Sequence, residues 1–225
     1  IEPEFFLLKR TEDGGYEPFG PRDDMAKPAY DIRSTLDSFE MLELIVRELN
    51  ALGYDVYSYD HEDGNGQFEI DFNYADGLTM ADRFVFFRLL LGELAHAHGY
   101  FACFMPKPFN DRAGSGAHYN MSLADVNTGK NLFADATDPR GLALSPLAYQ
   151  FIAGILKHLP ALSAVVSPTV NSYKRLIKEG SMSGFTWAPV FACYGSNNRT
   201  NTLRVPGTTP RVELRSADIS NNPYL

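Results

Sequence analysis

Carboxylate, imidazole and guanidinium side chains recur at alternate positions in four short segments of the chain, which read "IEPEF", "GQFEIDFNY", "AHYNMSL" and "RVELRS". Such alternation is typical of a β-strand that packs one apolar face and leaves one polar face open. The polar positions carry metal-ligand types and arginines but no lysine, whereas a merely solvated face usually mixes Thr, Ser, Lys and Glu. We therefore predict one shared functional face. It comprises Glu2, Glu4, Gln67, Glu69, Asp71, Asn73, His118, Asn120, Ser122, Arg211, Glu213 and Arg215.

Six residues are candidate ligands for divalent cations. Carboxylates crowded on one face need cations to offset their mutual repulsion. An oxygen-rich set suits Mg²⁺ or Mn²⁺, and a single imidazole favours Mn²⁺ slightly. Zinc is disfavoured because neither a cysteine nor a second histidine joins the set. The predicted ligands are Glu2, Glu4, Glu62, Glu69, His118 and Glu213.

Arginines accompany the acidic residues in the second half of the chain. A guanidinium group donates parallel hydrogen bonds to phosphate or carboxylate, so these residues suit an anionic substrate. The loop "RAGSGAH" adds Gly114 and Gly116, where the backbone can approach a ligand closely. Cations and arginines around an acidic face are typical of phosphoryl transfer from a nucleotide. The candidate arginines are Arg175, Arg199, Arg204, Arg211 and Arg215.

Three amphipathic segments predict the helices that position this face. The first, "TLDSFEMLELIVRELNALGY", ends at Gly53. The second, "TMADRFVFFRLLLGELAHAHGY", begins with Thr79 as its cap and ends at Gly99. The third, "SPLAYQFIAGILKHL", has Ser145 as its cap and Pro146 in the first helical position. The apolar stripe of the first helix comprises Leu36, Phe39, Leu42, Ile45, Val46, Leu49 and Leu52.

Composition limits the class of protein. The chain has 225 residues, of which 44% are hydrophobic, as expected for one large or two small globular domains. A net charge of −8 makes nucleic acid an unfavourable partner. The apolar runs are short and broken by charges, so we predict no membrane span, and no signal peptide is visible. Cys103 and Cys193 lack metal-site spacing and are interpreted as reduced core thiols of a cytoplasmic protein.

Seven motifs, taken together, resemble the catalytic domain of glutamine synthetases: "EPEFF", "HEDGNGQFEI", "FMPKP", "GSGAHYNMS", "NSYKRL", "NNRTNTLRVP" and "RVELRSAD" with "NNPYL". Their order and rough spacing match along nearly the whole chain. The resemblance implies an α+β fold, in which helices back a curved antiparallel β-sheet with a polar active-site face. It also implies that residues 1–225 are a single catalytic domain, truncated at both ends, without the β-grasp domain and further helices that flank it in the family. A start within a strand and without Met agrees with that expectation.

The resemblance assigns roles to individual residues. One cation would be held by Glu4, Glu62 and Glu69. Another would be held by Glu2, His118 and Glu213. Glutamate would be bound by Arg175, Arg215 and the backbone of Gly114. ATP would be faced by Asn120, Ser122, Arg199, Arg204 and Arg211.

The implied reaction has two steps. The γ-carboxylate of glutamate attacks the γ-phosphate of ATP, while two or three cations and the arginines stabilise the transferred group. An amine then displaces phosphate from γ-glutamyl phosphate and leaves a γ-amide. The residues with implied catalytic roles are Arg199, Arg204, Glu213 and Arg215. The family also implies a homo-oligomeric ring that acts on small molecules, without nucleic-acid or membrane partners.

One segment departs from the glutamine synthetase pattern. In "KRLIKEGSMSGFTWAPV", Trp187 stands where the family has a glutamate that binds ammonium, and Ala113 replaces the asparagine before Gly-Ser-Gly. These changes resemble the glutamate–methylamine ligase branch, the type III glutamine synthetases, in which an alkylamine replaces ammonium. Trp187 is then part of the substrate site. The alternatives are that Trp187 is an ordinary packing aromatic, or that Glu179 replaces the lost glutamate.

Two other functions fit parts of the pattern. A phosphotransferase acting on a carboxylate or guanidine group would share the sheet and need no amine. A non-catalytic homologue would have lost metal ligands, whereas all six are present. Outside these sets, His61 is either a residue that orients Glu62 or a surface histidine, and Lys107 is interpreted as a loop charge with a role in a turn.

Overall fold

The fold is organised around a nine-stranded sheet, in a computed structural model that describes residues 1–177, 187–208 and 210–225. The strands are β1 (Glu2–Arg10), β2 (Tyr16–Pro18), β3 (Val56–His61), β4 (Gln67–Phe72), β5 (Phe101–Cys103), β6 (Ala117–Met121), β7 (Tyr194–Ser196), β8 (Leu203–Val205) and β9 (Val212–Leu214). The main path through the sheet is β3-β4-β1-β6-β9-β8-β7, and β2 and β5 also pair with β1.

Most neighbouring strands run antiparallel. β1 pairs in this way with β2, β4, β5 and β6, as do β3 with β4 and β9 with both β6 and β8. β7 and β8 pair in parallel instead. Asn197, with a φ of 47°, turns the chain directly after β7, and Asn tolerates this left-handed region better than most residues. The predicted antiparallel sheet is therefore confirmed except at the β7 edge.

The helices are α1 (Ile32–Asp37), α2 (Phe39–Ala51), α3 (Gly77–Ala97), α4 (Pro146–Val166) and α5 (Ser172–Arg175). The single first helix expected from the sequence is wrong, because the chain leaves helical geometry at Ser38. α1 has a cap of its own, since the Asp31 carboxylate accepts the Ser34 N–H at 2.9 Å.

The break at Ser38 changes which members of the predicted apolar stripe are buried. Leu42, Ile45 and Leu49 are fully buried, as predicted. Val46 is only partly buried. The ends of the stripe are exposed, because they belong to α1 or to the terminal residues of α2. These exposed positions are Leu36, Phe39 and Leu52.

Of the two predicted caps on the long helices, the cap of α4 is confirmed and the cap of α3 is wrong. Ser145 Oγ accepts the Ala148 N–H at 3.3 Å, so the predicted start of α4 is confirmed. The predicted cap of α3 is wrong, because the Asp76 carboxylate accepts the Thr79 N–H at 3.1 Å. A carboxylate at the N-terminus also interacts favourably with the helix dipole. Gly99, with a φ of 78°, follows the end of α3 as predicted.

α4 continues to Val166, although Pro160 removes one helical hydrogen bond. Leu159 and Val166 belong to the core cluster that includes residues of β8 and β9, which offsets the cost of the proline. Among the described residues α4 is the one helix that is long and apolar enough, by length and composition alone, to cross a membrane. One such helix is weak evidence for a span, and Lys157 lies near its middle.

Two hydrophobic clusters join the helices to the apolar face of the sheet. The cluster under α2 and α3 includes Phe5 and Phe87, and the cluster under α4 includes Ile152 and Val212. Each fully buried side chain of this size contributes about 1.5–3 kcal/mol. Cys103 is buried, but Cys193 is only partly buried, so the core prediction holds for Cys103 alone. The opposite face of the sheet carries the polar residues.

Candidate active site

Strand register brings the predicted polar positions together. On neighbouring strands, Glu4 lies opposite Glu69 and Glu2 lies opposite His118. Directly opposed residues point to the same face, with Cβ atoms about 4.5–5.5 Å apart. The predicted common face is therefore confirmed across β4, β1 and β6.

The polar face continues onto β9 but ends sooner than the sequence pattern suggests. Asn120 lies opposite Glu213. β6 ends at Met121, so Ser122 lies beyond the strand and is exposed. β4 ends at Phe72, and Tyr74, which the alternation places on the covered face, is 91% exposed. In both places the predicted strand is longer than the observed one. The alternation in sequence continues into residues that no longer pair with a neighbouring strand.

One group of three carboxylates lies at the junction of β1, β4 and the turn before β4. Oxygen atoms of Glu4, Glu62 and Glu69 all lie within 4.8 Å of one another. Glu4 Oε2 also accepts the Gly116 N–H at 2.6 Å. Burial, and then the charge of Glu4, raises the pKa of Glu62 to about 8. Burial and neighbouring carboxylates also raise the pKa of Glu69 well above its ordinary value.

A second group shares Glu69 with the first. Ligand atoms of Glu2, Glu69 and His118 lie within 4.8 Å of one another. His118 Nδ1 is 3.3 Å from Glu2 Oε2, and His118 Nε2 is 3.5 Å from Glu4 Oε1. Burial alone would raise the pKa of Glu2, but the hydrogen bond and charge of His118, with a hydrogen bond from Asn120, lower it to about 2. The imidazole therefore links the two groups.

Glu213 lies beside the second group rather than within it. Its Oε1 is 3.8 Å from His118 Nδ1. Its Oε2 accepts a hydrogen bond from Arg204 Nη1 at 2.8 Å, and its Oε1 accepts one from Arg215 Nη1. The carboxylate is fully buried, so two guanidinium groups compensate its charge. Of the six predicted ligands, five fall into the two groups and Glu213 adjoins them.

Arg175 is buried on the loop side of the cleft. Its Nη1 and Nη2 donate to the main-chain oxygens of Ser216 and Arg215 at 3.2 and 3.1 Å, and burial lowers its pKa. A Cβ added at Gly114 would lie 2.9 Å from Arg175 Cγ, and one added at Gly116 would lie 2.8 Å from Arg175 Nη2. The two glycines of the loop therefore make room for this arginine.

Arg211 and Asn120 connect the second group to the rim of the sheet. Arg211 Nε donates to Asn120 Oδ1 at 2.7 Å, and Asn120 Nδ2 donates to Glu2 Oε1 at 2.9 Å. Arg204 donates to Asn197 Oδ1 as well as to Glu213. These residues, predicted to face ATP, adjoin the carboxylates without lining the cleft itself.

The cleft is lined by both acidic side chains and a set of cationic and aromatic residues. Among its lining residues, acidic side chains come from the first group and from Asp63, and Gln67 lies beside them. Gln67 Nε2 donates to the Gly114 carbonyl at 3.0 Å, a role that its place on the polar strand face did not reveal. The lining residues are Glu4, Glu62, Asp63, Gln67, Glu69, Ala113, Gly114, His118, Arg175, Trp187, Ala188, Arg199 and Arg215.

Trp187 lines the same cleft and is 45% exposed. The guanidinium carbon of Arg199 lies 5.7 Å from the Trp187 ring centroid. Burial opposes the charge of Arg199, but Tyr30 and the nearby carboxylates raise its pKa. Glu179, the alternative to Trp187 in the amine site, lies outside the described residues.

Two residues outside the predicted set, His61 and Lys107, are buried. His61 is 1% exposed, so the surface-histidine alternative is wrong. Its Nε2 is 2.7 Å from Asp23 Oδ2, an acidic partner that no sequence pattern indicated. Lys107 is also buried, and its Nζ donates to the Arg112 carbonyl in the same loop, which agrees with the predicted turn role but not with an exposed charge.

The donor set fits hard divalent cations. Carboxylate oxygens with one imidazole are the ligands that Mg²⁺ and Mn²⁺ accept. Burial first, and then the neighbouring carboxylates, raise the pKa values of Glu62 and Glu69, and a bound cation would offset both effects. Burial and Glu2 also raise the pKa of Asp71, beside the groups, to about 7. The residues that would hold cations are therefore Glu2, Glu4, Glu62, Glu69 and His118, with Glu213 adjacent.

Known proteins share both the sequence and the fold. The glutamate–methylamine ligase of Methyloversatilis universalis is 48% identical over 225 residues, covering 100% of this chain and 50% of that protein. The glutamine synthetase of Rhizobium leguminosarum bv. phaseoli is 42% identical, with coverage of 100% and 50%. A solved GmaS/ADP complex in conformation 1 matches with a TM-score of 0.88 and 43% identity over 99% of this chain and 51% of that chain.

An apo GmaS structure without ligand matches with a TM-score of 0.86 and 42% identity, over 99% of this chain and 49% of that one. The chain thus spans about half the length of the relatives it matches. The model of the catalytic domain of glutamine synthetase matches residues 1–225. The resemblance predicted from the motifs, including the likeness to glutamate–methylamine ligase, is confirmed. The chain belongs to the glutamine synthetase catalytic-domain family.

Proposed function

We propose that the protein is an ATP-dependent ligase, which joins the γ-carboxylate of glutamate to ammonia or a small alkylamine through γ-glutamyl phosphate. The observation that carries the proposal is the pairing of two cation-ligand groups with three arginines around one cleft. The family membership supports it independently. The proposal includes a cytoplasmic location and a homo-oligomeric assembly of a protein that contains residues 1–225 as its catalytic domain.

Bound cations would neutralise the charge of the transferred phosphoryl group and lower the repulsion between two anionic substrates. The chain's own carboxylates prepare this step by being held close together before any ligand arrives. Glu4 is fixed by the Gly116 N–H at 2.6 Å, and Glu2 is fixed by Asn120 at 2.9 Å. A preorganised site of this kind needs little rearrangement during the reaction.

Arg175 and Arg215 are the groups proposed to bind the substrate carboxylate. Each guanidinium has five N–H donors. Arg175 uses donors on main-chain oxygens, and Arg215 uses its Nε on the Arg199 carbonyl at 2.8 Å. These contacts orient the planes of both groups and leave further donors for glutamate. The main chain of Gly114 lies at the same side of the cleft.

Arg199, Arg204 and Arg211 are proposed to hold the phosphates, with Asn120 and Ser122 toward the nucleotide. Arg199 lines the cleft, so it can contact the γ-phosphoryl group as charge develops on it. Arg204 and Arg215 fix Glu213 between them. Arginine suits this role because it remains charged next to phosphate.

Trp187 favours an alkylamine as the second substrate. Its ring is half exposed in the cleft and offers apolar surface where a methyl group gains about 0.8 kcal/mol on burial. The nearby Arg199 disfavours a charged ammonium group, and the neutral amine is the nucleophile that the second step needs. Methylamine or ethylamine is therefore the proposed substrate ahead of ammonia.

Product identification tests the proposal. The full-length protein is incubated with ATP, glutamate, Mg²⁺ or Mn²⁺ and either ammonium, methylamine or ethylamine, and the products are identified by mass spectrometry. We expect a γ-glutamyl amide together with ADP and phosphate in equal amounts. Glu69→Gln should abolish the product because Glu69 belongs to both ligand groups.

Asp138→Asn is the matched control, since Asp138 accepts several hydrogen bonds outside the cleft. It should leave the reaction unchanged. Transfer of phosphate without any amine requirement would favour the phosphotransferase alternative. Binding of ATP without turnover under all conditions would favour a non-catalytic homologue.

A further inference from the structure

A buried carboxylate lies behind the turn that carries Glu62. Asp23, in the segment between β2 and α1, is 7% exposed. Its oxygens lie 2.7 Å from His61 Nε2, 2.5 Å from the Gly66 nitrogen and 3.1 Å from Asn65 Nδ2. All three partners belong to residues 61–66, so one side chain from a distant part of the chain organises the whole turn.

His61 connects this carboxylate to Glu62. The imidazole is buried and packs edge-on against Phe68, with the ring centroids 4.9 Å apart. Its Nδ1 is 2.8 Å from the Glu62 main-chain oxygen. The Glu62 N–H donates to the Gln67 carbonyl at 2.9 Å. The main-chain N–H of Glu62 is therefore held by the first residue of β4, and its main-chain oxygen is held by His61.

Glu62 needs such support more than the other carboxylates of its group. Glu4 and Glu69 lie on paired strands, whose register fixes where their side chains point. Glu62 lies just past the end of β3, in the connection to β4, where the N–H···O bond to Gln67 is, among the described residues, its one backbone contact with a strand. Repulsion from Glu4 favours a turn conformation that carries Glu62 away from the cleft. The contacts of Asp23 and His61 oppose that movement.

We propose that Asp23, acting through His61, is a positioning residue that holds Glu62 among the cation ligands. The inference rests on the proposed cation site and adds to it a supporting pair outside the cleft. Groups that hydrogen-bond behind ligands of this kind typically change metal affinity by 10–100-fold when removed. Asp23 contributes no ligand atom itself, so its effect must pass through Glu62.

Mn²⁺ binding to the full-length protein, without nucleotide, tests the proposal. Free Mn²⁺ is measured by electron paramagnetic resonance for the wild type, Asp23→Asn, Glu62→Gln and the double variant. We expect Asp23→Asn to weaken binding about tenfold or more. The double variant should bind no more weakly than Glu62→Gln alone, because the positioning effect disappears when its target is removed.

A control variant, a folding measurement and a substitute variant keep the outcome unambiguous. Asp138→Asn should leave Mn²⁺ affinity unchanged, since this carboxylate also accepts several hydrogen bonds but lies outside the cleft. Circular dichroism establishes that each variant folds, and His61→Gln replaces Asp23→Asn if the latter does not. Wild-type affinity in the folded variant, or additive losses in the double variant, would overturn the positioning role. Failure of the wild type to bind Mn²⁺ would instead overturn both this role and the proposed cation site.

Discussion

Single residues in the cleft differ in how their charge is compensated. Glu2 contacts His118 and Asn120, and its pKa falls to about 2. Burial and neighbouring carboxylates raise the pKa of Glu62 to about 8, a rise that the charge of Arg199 opposes only in part, and they also raise the pKa of Glu69. Glu213 is compensated by two arginines. The uncompensated charge is therefore concentrated where a cation would be held.

Trp187→Ala should change the choice of amine. The indole offers the apolar surface against which a methyl group gains about 0.8 kcal/mol, or roughly fourfold in rate. We expect kcat/KM for methylamine to fall at least fourfold relative to ammonium. Steady-state kinetics with both amines measures this ratio. Phe86→Ala is a matched control, because Phe86 has a similar exposure of 43% on α3 and does not line the cleft.

Equal losses for both amines would show that Trp187 has no part in amine selection. A wild-type preference for ammonium that Glu179→Gln abolishes would overturn the alkylamine proposal. In that case Glu179 would supply the group that the family places at position 187.

Asp23→Asn should also lower stability in a pH-dependent way. Burial alone would raise the pKa of Asp23, but the hydrogen bond and charge of His61 hold it below its ordinary value. The unfolded state therefore binds protons first as pH falls, and stabilisation by Asp23 is present above about pH 4. Hydrogen bonds to a charged group contribute about 1.5–3 kcal/mol, so we expect a loss of this order near pH 7.

Urea unfolding at several pH values measures this loss. The difference between wild type and Asp23→Asn should shrink as pH falls below about 4, toward the folded-state pKa of Asp23. A difference that stays constant down to the acid limit would show that the variant acts through packing alone.

The shared face of the proposed cation ligands on β1, β4 and β6 could be predicted from sequence because strand alternation is local. Glu2 and Glu4 on β1, and the polar residues around Glu69 on β4, occupy every second position. This period is visible because the apolar residues between them face the covered side of the sheet. Asp23 could not be predicted, because its partner His61 is 38 residues away and no periodic pattern joins them. Contacts between a loop and a distant turn depend on the finished fold.

At the scale of elements, apolar periodicity located the helices, but their exact ends followed local hydrogen bonds. The Asp31 cap and the backbone at Ser38 divide the first predicted helix. Asp76 competes with Thr79 for the cap of α3, and its carboxylate is the stronger acceptor next to a helix dipole. The parallel β7–β8 pair depends on a left-handed Asn197, which no apolar pattern signals.

The loop before β6 should separate effects on the fold from effects on the site. A Cβ at Gly116 would lie 2.7 Å from His118 Nε2 and 2.8 Å from Arg175 Nη2, which are the ends of side chains that can move. We expect Gly116→Ala to fold but to bind Mn²⁺ about tenfold more weakly, because His118 is displaced. Mn²⁺ titration and thermal unfolding measure the two effects.

Gly114→Ala is the contrasting variant. Its Cβ would lie 2.5 Å from the Pro106 main-chain oxygen, so the backbone itself must shift. We expect a loss of stability of about 1–3 kcal/mol, as for other overpacked positions. Gly92→Ala on α3 is the control, because a Cβ there meets no atom within 4 Å and should be neutral or slightly stabilising. Normal Mn²⁺ binding by Gly116→Ala would contradict the placement of His118 in the site.

At the scale of the whole molecule, the net charge of the chain has the same sign as the charge of the proposed substrates. The chain carries a net charge of −8, and both ATP and glutamate are anions. Long-range attraction therefore does not bring the substrates to the cleft. Binding must come from the local field of Arg175, Arg199 and Arg215 and from cations held by the acidic groups. The fold meets this need by bringing the proposed cation ligands and these three arginines to the lining of one cleft.

Cation binding should consequently stabilise the whole molecule, and Glu69 should be required for it. The carboxylates of both groups repel one another in the metal-free protein, and a cation that binds only the folded state stabilises it by mass action. At free Mn²⁺ a hundredfold above Kd the gain is about 2.7 kcal/mol, which raises Tm by several degrees. Because Glu69 is shared by both groups, Glu69→Gln should remove most of this rise.

Because Glu69→Gln also relieves the repulsion between carboxylates, this variant should raise Tm in the presence of a chelator. Differential scanning calorimetry with EDTA and with Mn²⁺ measures both changes, and an undiminished Mn²⁺-dependent rise in Glu69→Gln would show that the cations bind elsewhere.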